Sequence, residues 1–183
     1  MIKKWNFLIL LLSLFLSACT GQIFNYSSCV PFNHNAKIAV IPFANNTETP
    51  MAGERAMSVT AAVMETYGLR NLVVYQNHNH GKVLFPGMNK IVSEPKLLDW
   101  ARSTHAQYAM TGSVNEWTYK VGLDGEPVVG LSLQLIDLKS GRIVWTAVGS
   151  LSGGSRIAVT TTAQRLINSL LRGLFCSKSV YAK

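Results

Sequence analysis

The segment Val128 to Gly149, VVGLSLQLIDL followed by KSG and RIVWTAVG, most constrains what this chain can fold into. Leu131, Leu133 and Leu135 alternate with Ser132 and Gln134, the period-two pattern of a strand with one greasy face. Lys139-Ser140-Gly141 turns the chain, and Arg142 to Gly149 returns as a partner strand. An antiparallel meander with one apolar face must be covered by another layer, so helices have to pack against it.

The flanking sequence supplies them. Lys37 to Phe43, KIAVIPF, is a β-branched run ended by Pro42, which reads as a buried strand. Thr49-Pro50 makes a helix entry, and Ala52, Ala56, Val59, Val63 and Tyr67 recur at helical spacing until Gly68 stops them. Leu72 to Tyr75 is a second strand. Ser93 is placed to cap a helix with Pro95 in its first turn and Leu97, Leu98, Ala101 and His105 on its inner face. Ala106 to Val114 is a third strand, Glu116 to Val121 a short, partly alternating one, and LDGE at 123 to 126 a turn. A last helix from about Arg156 to Phe175 carries Val159, Ala163, Leu166, Ile167, Leu170 and Leu174 inward. The expected fold class is α/β: a single three-layer-like α/β sandwich, its mixed sheet built from a βαβαβ start and the antiparallel meander, with a C-terminal helix.

The chain opens with Lys3 and Lys4, an apolar run from Phe7 to Leu16, and the small residues Ser17 and Ala18. This is the layout of a secretory signal, and the run is about half of the roughly 20 apolar residues a membrane-spanning helix needs. Leu16-Ser17-Ala18-Cys19 resembles the bacterial lipobox, which implies cleavage before Cys19 and acylation of its thiol and new amino terminus. Two or more acyl chains such as palmitate anchor stably where one holds only marginally. Thr20 stands where an aspartate would favour inner-membrane retention, which points to the outer membrane. The domain layout expected is a signal peptide at 1–18, a lipidated N-terminus and irregular tether at 19–36, a periplasmic α/β domain at 37–176 and a tail at 177–183. Cys29 and Cys176 then remain, and in an oxidising compartment they either join or stay as two separate thiols.

Little in the sequence announces covalent chemistry. The formal net charge of +8 falls to +6 without Lys3 and Lys4 and suits an anionic partner. No basic block or aromatic-basic interleaving of a nucleic-acid binder accompanies it, and export removes that partner class. His78-x-His80, with His34 and His105 elsewhere, sits in a Gly/Asn loop without a neighbouring Cys, Asp or Glu, so no metal site is expected. No nucleophile elbow, zincin motif, phosphate loop or cofactor motif occurs, and the nine carboxylates fall at caps, helix faces and turns. GSLSGGS at 149 to 155 reads as a flexible loop before a helix, with anion cradling as the sharper alternative. Glu54-Arg55 at the start of the first helix either stabilises that helix end or makes a contact between protomers. Trp145, sharing a face with Ile143 and Ala147, is expected in the core. The alternative, for Trp117 as well, is a membrane or subunit contact, since indole suits the headgroup boundary.

KIAVIPFANNTETPMAGERA, AQYAMTGSVNEWTY and VGLSLQLIDLKSGRIVWTAVG resemble PelC, the outer-membrane lipoprotein of the Pel exopolysaccharide export system. More loosely, A-x-Y-x-x-T-G-S-V and D-L-x-S-G-R-I-V-W are shared with the CsgG, LpoB and TolB amino-terminal type of periplasmic domain. The resemblance implies a non-enzymatic lipoprotein without cofactor that forms a homo-oligomeric ring under the outer membrane. There it would guide a biofilm polysaccharide to a β-barrel export protein. It also implies an acidic funnel, to which Glu48, Glu54, Asp124 and Glu126 would contribute; the basic total of this chain departs from that. The rival readings are an LpoB-like activator of a cell-wall synthase, disfavoured by the short tether, a CsgG-like secretion component, and a metal-dependent hydrolase built on the histidines.

Overall fold

The computed structural model describes residues 22–31, 33, 35–76, 94–122 and 125–175. Its strands are β1 (Gln22–Tyr26), β2 (Ile38–Val40), β3 (Ala44–Asn45), β4 (Leu72–Val74), β5 (Tyr108–Tyr119), β6 (Pro127–Asp137) and β7 (Ile143–Ser152). Its helices are α1 (Ala52–Thr66), α2 (Glu94–Ser103) and α3 (Val159–Arg172). All seven strands share one mixed sheet in the order β1-β7-β6-β5-β2-β4, with β3 beside β5. The β2, β4 and β5 pairings are parallel and the meander β5-β6-β7 is antiparallel, as the sequence pattern requires.

The alternation of the strands sorts their side chains into two cores. Ile38, Val40, Met110, Leu131, Leu133, Leu135, Trp145 and Ala147 face α1 and α3, packing on Ala52, Ala56, Met64, Leu166, Ile167 and Leu170. Ala39, Ile41, Ala109, Ile136 and Leu138 face the other way and meet Leu97 and Ala101 of α2. The three layers are therefore two helices, the sheet and one helix. Gly68 ends α1 at φ 86, where a Cβ would be strained. α3 has no side-chain cap of its own, and the Tyr119 hydroxyl from β5 accepts the Val159 N–H at 3.0 Å instead.

Four expectations need correction. The stretch 20–36 is not irregular throughout, because Gln22–Tyr26 pairs antiparallel with β7, Gln22 opposite Leu151 and Tyr26 opposite Ala147. β5 runs on to Tyr119 because one extra residue, Asn115, is accommodated as a bulge between Val114 and Glu116. A bulge on β7 opposite Leu135 and Ile136 turns Ile143 to the α2 side of the sheet, so it does not share a face with Trp145 and is exposed. His105 lies past the end of α2 with a positive φ and an exposed side chain, not on the inner face.

Candidate functional site

Asn45 and, in the loop between β3 and α1, Asn46, Thr47 and Thr49 each have a defined partner. The Asn45 Oδ1 accepts the Thr47 N–H at 3.0 Å and its hydroxyl at 2.8 Å, an Asx turn. The Asn45 amide donates to the Thr49 carbonyl at 2.9 Å, and the Thr49 hydroxyl donates to the Trp117 carbonyl at 2.5 Å. Asn46 reaches the bulged Asn115, its amide donating to Asn115 Oδ1 at 3.0 Å, while its own N–H bonds the Val114 carbonyl at 2.9 Å. The β5 bulge thus presents Asn115 to the loop and keeps both Val114 and Trp117 on the core face.

The loop delivers the chain into α1 through Met51, which adopts left-handed geometry at φ 59. Gly53 then passes so close to Phe43 that an added Cβ would overlap the Phe43 carbonyl oxygen. The first turn of α1 therefore lies directly against the end of the β2 line. Glu48 and Arg55 are exposed and Glu54 is half-buried in that first turn, where a carboxylate suits the positive helix end. The three charged residues singled out by sequence are thus gathered around one helix start on a rigid loop.

The tryptophans are not available for outside contacts in this conformation. Trp145 is 1% exposed and donates its indole N–H to the Gly173 carbonyl at 3.2 Å. Trp117 is 2% exposed, and its indole nitrogen has no acceptor among the described residues. Both lie in the core of the domain.

What sequence reasoning missed lies at the other edge of the sheet. β1 sets Phe24 and Tyr26 in a stack with centroids 6.4 Å apart, and the Tyr26 ring lies on Gly173, where any Cβ would collide with it. The Ser27 N–H bonds the Thr146 carbonyl at 2.9 Å and the Val30 N–H bonds the Leu174 carbonyl at 3.2 Å. Cys29, between these two contacts, is disulfide-bonded. Cys19 and Cys176 lie outside the described residues, as do His34, His78, His80 and Asp124. The three apolar residues in QIFNY were the available signal for β1. The GSLSGGS stretch also differs from a plain loop, since β7 continues through Ser152.

Among the described residues no three His, Cys, Asp or Glu side chains gather as for a metal ion, and no helix is long and apolar enough to cross a membrane. The site is one of exposed charge, defined turns and an anchored N-terminal strand. Residues 85–151 match the family model of the peptidoglycan-synthase activator LpoB. The comparison with curated proteins gives no match. Among solved structures, a PelC dodecamer from Paraburkholderia phytofirmans is 35% identical, with 84% of this chain and 96% of that chain covered at a TM-score of 0.71. A dodecamer of a PelC variant from the same organism is 34% identical, with 84% and 98% covered at a TM-score of 0.72. At that identity over nearly the full length of those chains, this chain belongs to the PelC family.

Proposed function

We propose that this protein is a lipoprotein of the outer membrane, acylated at Cys19, whose copies assemble into a periplasmic ring. The ring guides an exported polysaccharide to an outer-membrane β-barrel and performs no covalent chemistry itself. The observation that carries this reading is the likeness to PelC proteins that are dodecamers. Glu48, Glu54 and Arg55, gathered at the start of α1, are assigned to the lumen or to the contact between copies. Native mass spectrometry of the delipidated protein should show a dodecamer, and a clean monomer across concentrations would refute the ring. Charge reversal at Glu48 or Arg55 should shift that assembly or reduce export without unfolding the domain. A Cys19→Ala variant that still reaches the periplasm should lose polymer export.

The N-terminal segment is fixed, on this reading, by a Cys29–Cys176 disulfide. Support comes from the bonded state of Cys29 and from the Val30 to Leu174 backbone contact, two residues short of Cys176. Non-reducing peptide mapping tests the pairing. The mature chain then divides into a lipidated N-terminus before residue 37, an α/β domain to 176 and a short tail. The match of residues 85–151 to the LpoB model favours a second reading, activation of a peptidoglycan synthase. Stimulation of such a synthase by the purified protein, with no effect of its deletion on polymer export, would favour that reading over the first.

A further inference from the structure

The positive charge of this protein is not spread evenly. Up to Asp137 the chain holds ten basic residues against all nine of its carboxylates; beyond it come Lys139, Arg142, Arg156, Arg165, Arg172, Lys178 and Lys183 with no carboxylate. Of these, Lys139 and Arg142 flank the β6–β7 turn, Arg156 precedes α3, Arg165 and Arg172 lie on α3, and Lys178 and Lys183 fall outside the described residues. α3 packs over β6 and β7, with β7 between β6 and β1.

A groove of about 340 Å³ opens at that edge, between the end of β7 and the side of α3. Arg165, Asn168, Ser169 and Arg172 line one wall, and Gly154 leaves part of the other without a side chain. The spacing i, i+3, i+4, i+7 brings the four onto one side of the helix, with the two arginines about 10 Å apart along its axis. Both are exposed, and the ion pairs among the described residues, Arg102–Asp99 and Lys120–Glu126, lie elsewhere. The Asn168 Oδ1 is occupied by the Tyr67 hydroxyl at 2.8 Å, which leaves the amide N–H groups of Asn168 as donors. The lining thus offers two guanidinium forks, an oriented amide and no carboxylate.

We propose that this groove binds a phosphate group, supplied by the headgroup of an anionic phospholipid. Guanidinium forks match phosphate oxygens bidentately, which accounts for arginines on this helix face. The lipid source follows from position and rests on the acylation of Cys19 proposed above. Leu151, on the groove wall, stands opposite Gln22 in the sheet, and Gln22 is three residues from Cys19, a reach of about 10 Å. Ile23, 71% exposed and paired with Ser150, projects from the other face of the sheet at the same end, and the fully exposed Val121 follows the end of β5 there. Exposed apolar side chains at the end of the sheet that also carries a cationic groove are a combination that suits a bilayer surface.

The test uses the full mature chain carrying Cys19→Ala, so that neither acyl chains nor detergent compete, titrated calorimetrically with dihexanoyl phosphatidylglycerol below its micelle concentration and with inorganic phosphate. Saturable binding of the lipid is expected, weakened at least tenfold in Arg165→Gln/Arg172→Gln and unchanged in Arg142→Gln. Asn168→Asp keeps the acceptor for Tyr67 but adds a carboxylate, and should abolish binding even if the double variant folds poorly. Absence of saturable lipid binding, or a double variant that binds like the parent, overturns the proposal. Equal affinity for inorganic phosphate overturns the lipid source, and binding of a polyuronate in place of either overturns the phosphate assignment. A native protein that proves unacylated by intact mass would sink the anchor while leaving the groove titration to be read on its own.

Discussion

Trp117 and Trp145 are buried alike but differ in one bond, and the pair gives a sharp test of the core. Replacing either indole by phenyl removes a similar volume, so the cavity cost is about the same at the two positions. At Trp145 the change also strips the Gly173 carbonyl of its donor, and a buried acceptor left unsatisfied costs about 1–3 kcal/mol. At Trp117 the indole N–H has no acceptor among the described residues, so its removal relieves a penalty of about the same size. Trp145→Phe should therefore be less stable than Trp117→Phe by about 2–6 kcal/mol, which in a domain of this size is a difference in Tm of roughly 4–24 °C. Urea unfolding followed by far-UV circular dichroism, with m-values checked for equality, reads the difference. Equal losses, or a larger loss at Trp117, would refute the assignment of the two indole nitrogens.

Gly53→Ala should destabilise the fold despite the helix-propensity gain of about 1 kcal/mol, because the new methyl meets the Phe43 backbone and overpacking costs about 1–3 kcal/mol; chemical denaturation of the variant measures the sign. The Asp137 carboxyl is held below the usual carboxylate range by the backbone N–H groups of Ser140 and Lys139. Its support for the β6–β7 turn is complete above the ordinary carboxylate value and lost as pH falls through the lower folded one; the amide shifts of Lys139 and Ser140 should titrate with that depressed midpoint. Cys29→Ser should cost about 2–4 kcal/mol and make the melting temperature insensitive to reductant, read by calorimetry with and without dithiothreitol.

The parallel core and the meander were legible because burial imposes a period on them. Leu131, Leu133 and Leu135 lie on one face and α1 ends at Gly68, as their spacing and residue types dictate. What escaped are features set by contacts distant in sequence. Ile143 follows the alternation of β7 on paper, and only the pairing across to Ile136 turns it over. QIFNY has no clean period, and it becomes a strand because β7 offers an open edge and Gly173 a seat for Tyr26. In the loop before α1, the Asx turn is written in Asn45 and Thr47, whereas Asn46 finds Asn115 only through a bulge on another strand. Gly53 reads as a poor helix residue until Phe43 is seen beneath it. The Glu54-Arg55 pair could be placed at a helix start from sequence, but neither its rigidity nor its neighbours could.

The pairing of β1 changes what an anchor at Cys19 would do. A free tether from Cys19 to residue 36 would let the domain wander over about 23 Å root-mean-square, by the scaling for flexible chains. With residues 22–26 held in the sheet, only Thr20 and Gly21 would separate the anchor from a fixed strand, a reach of about 10 Å. Each copy would then meet the bilayer by the same edge, and copies in a cyclic ring must share one orientation to make identical contacts. Restricting orientation before assembly lowers the entropy lost on forming the ring, as in any preorganised association. Insertion of ten Gly/Ser residues between Gly21 and Gln22 leaves both Cys19 and β1 intact while restoring the freedom of a tether. We expect the inserted protein to be acylated and to assemble in solution like the parent, but to support less polymer export in cells. Full export by that variant would show that a short, strand-held anchor is not required, and that β1 serves the stability of the domain alone.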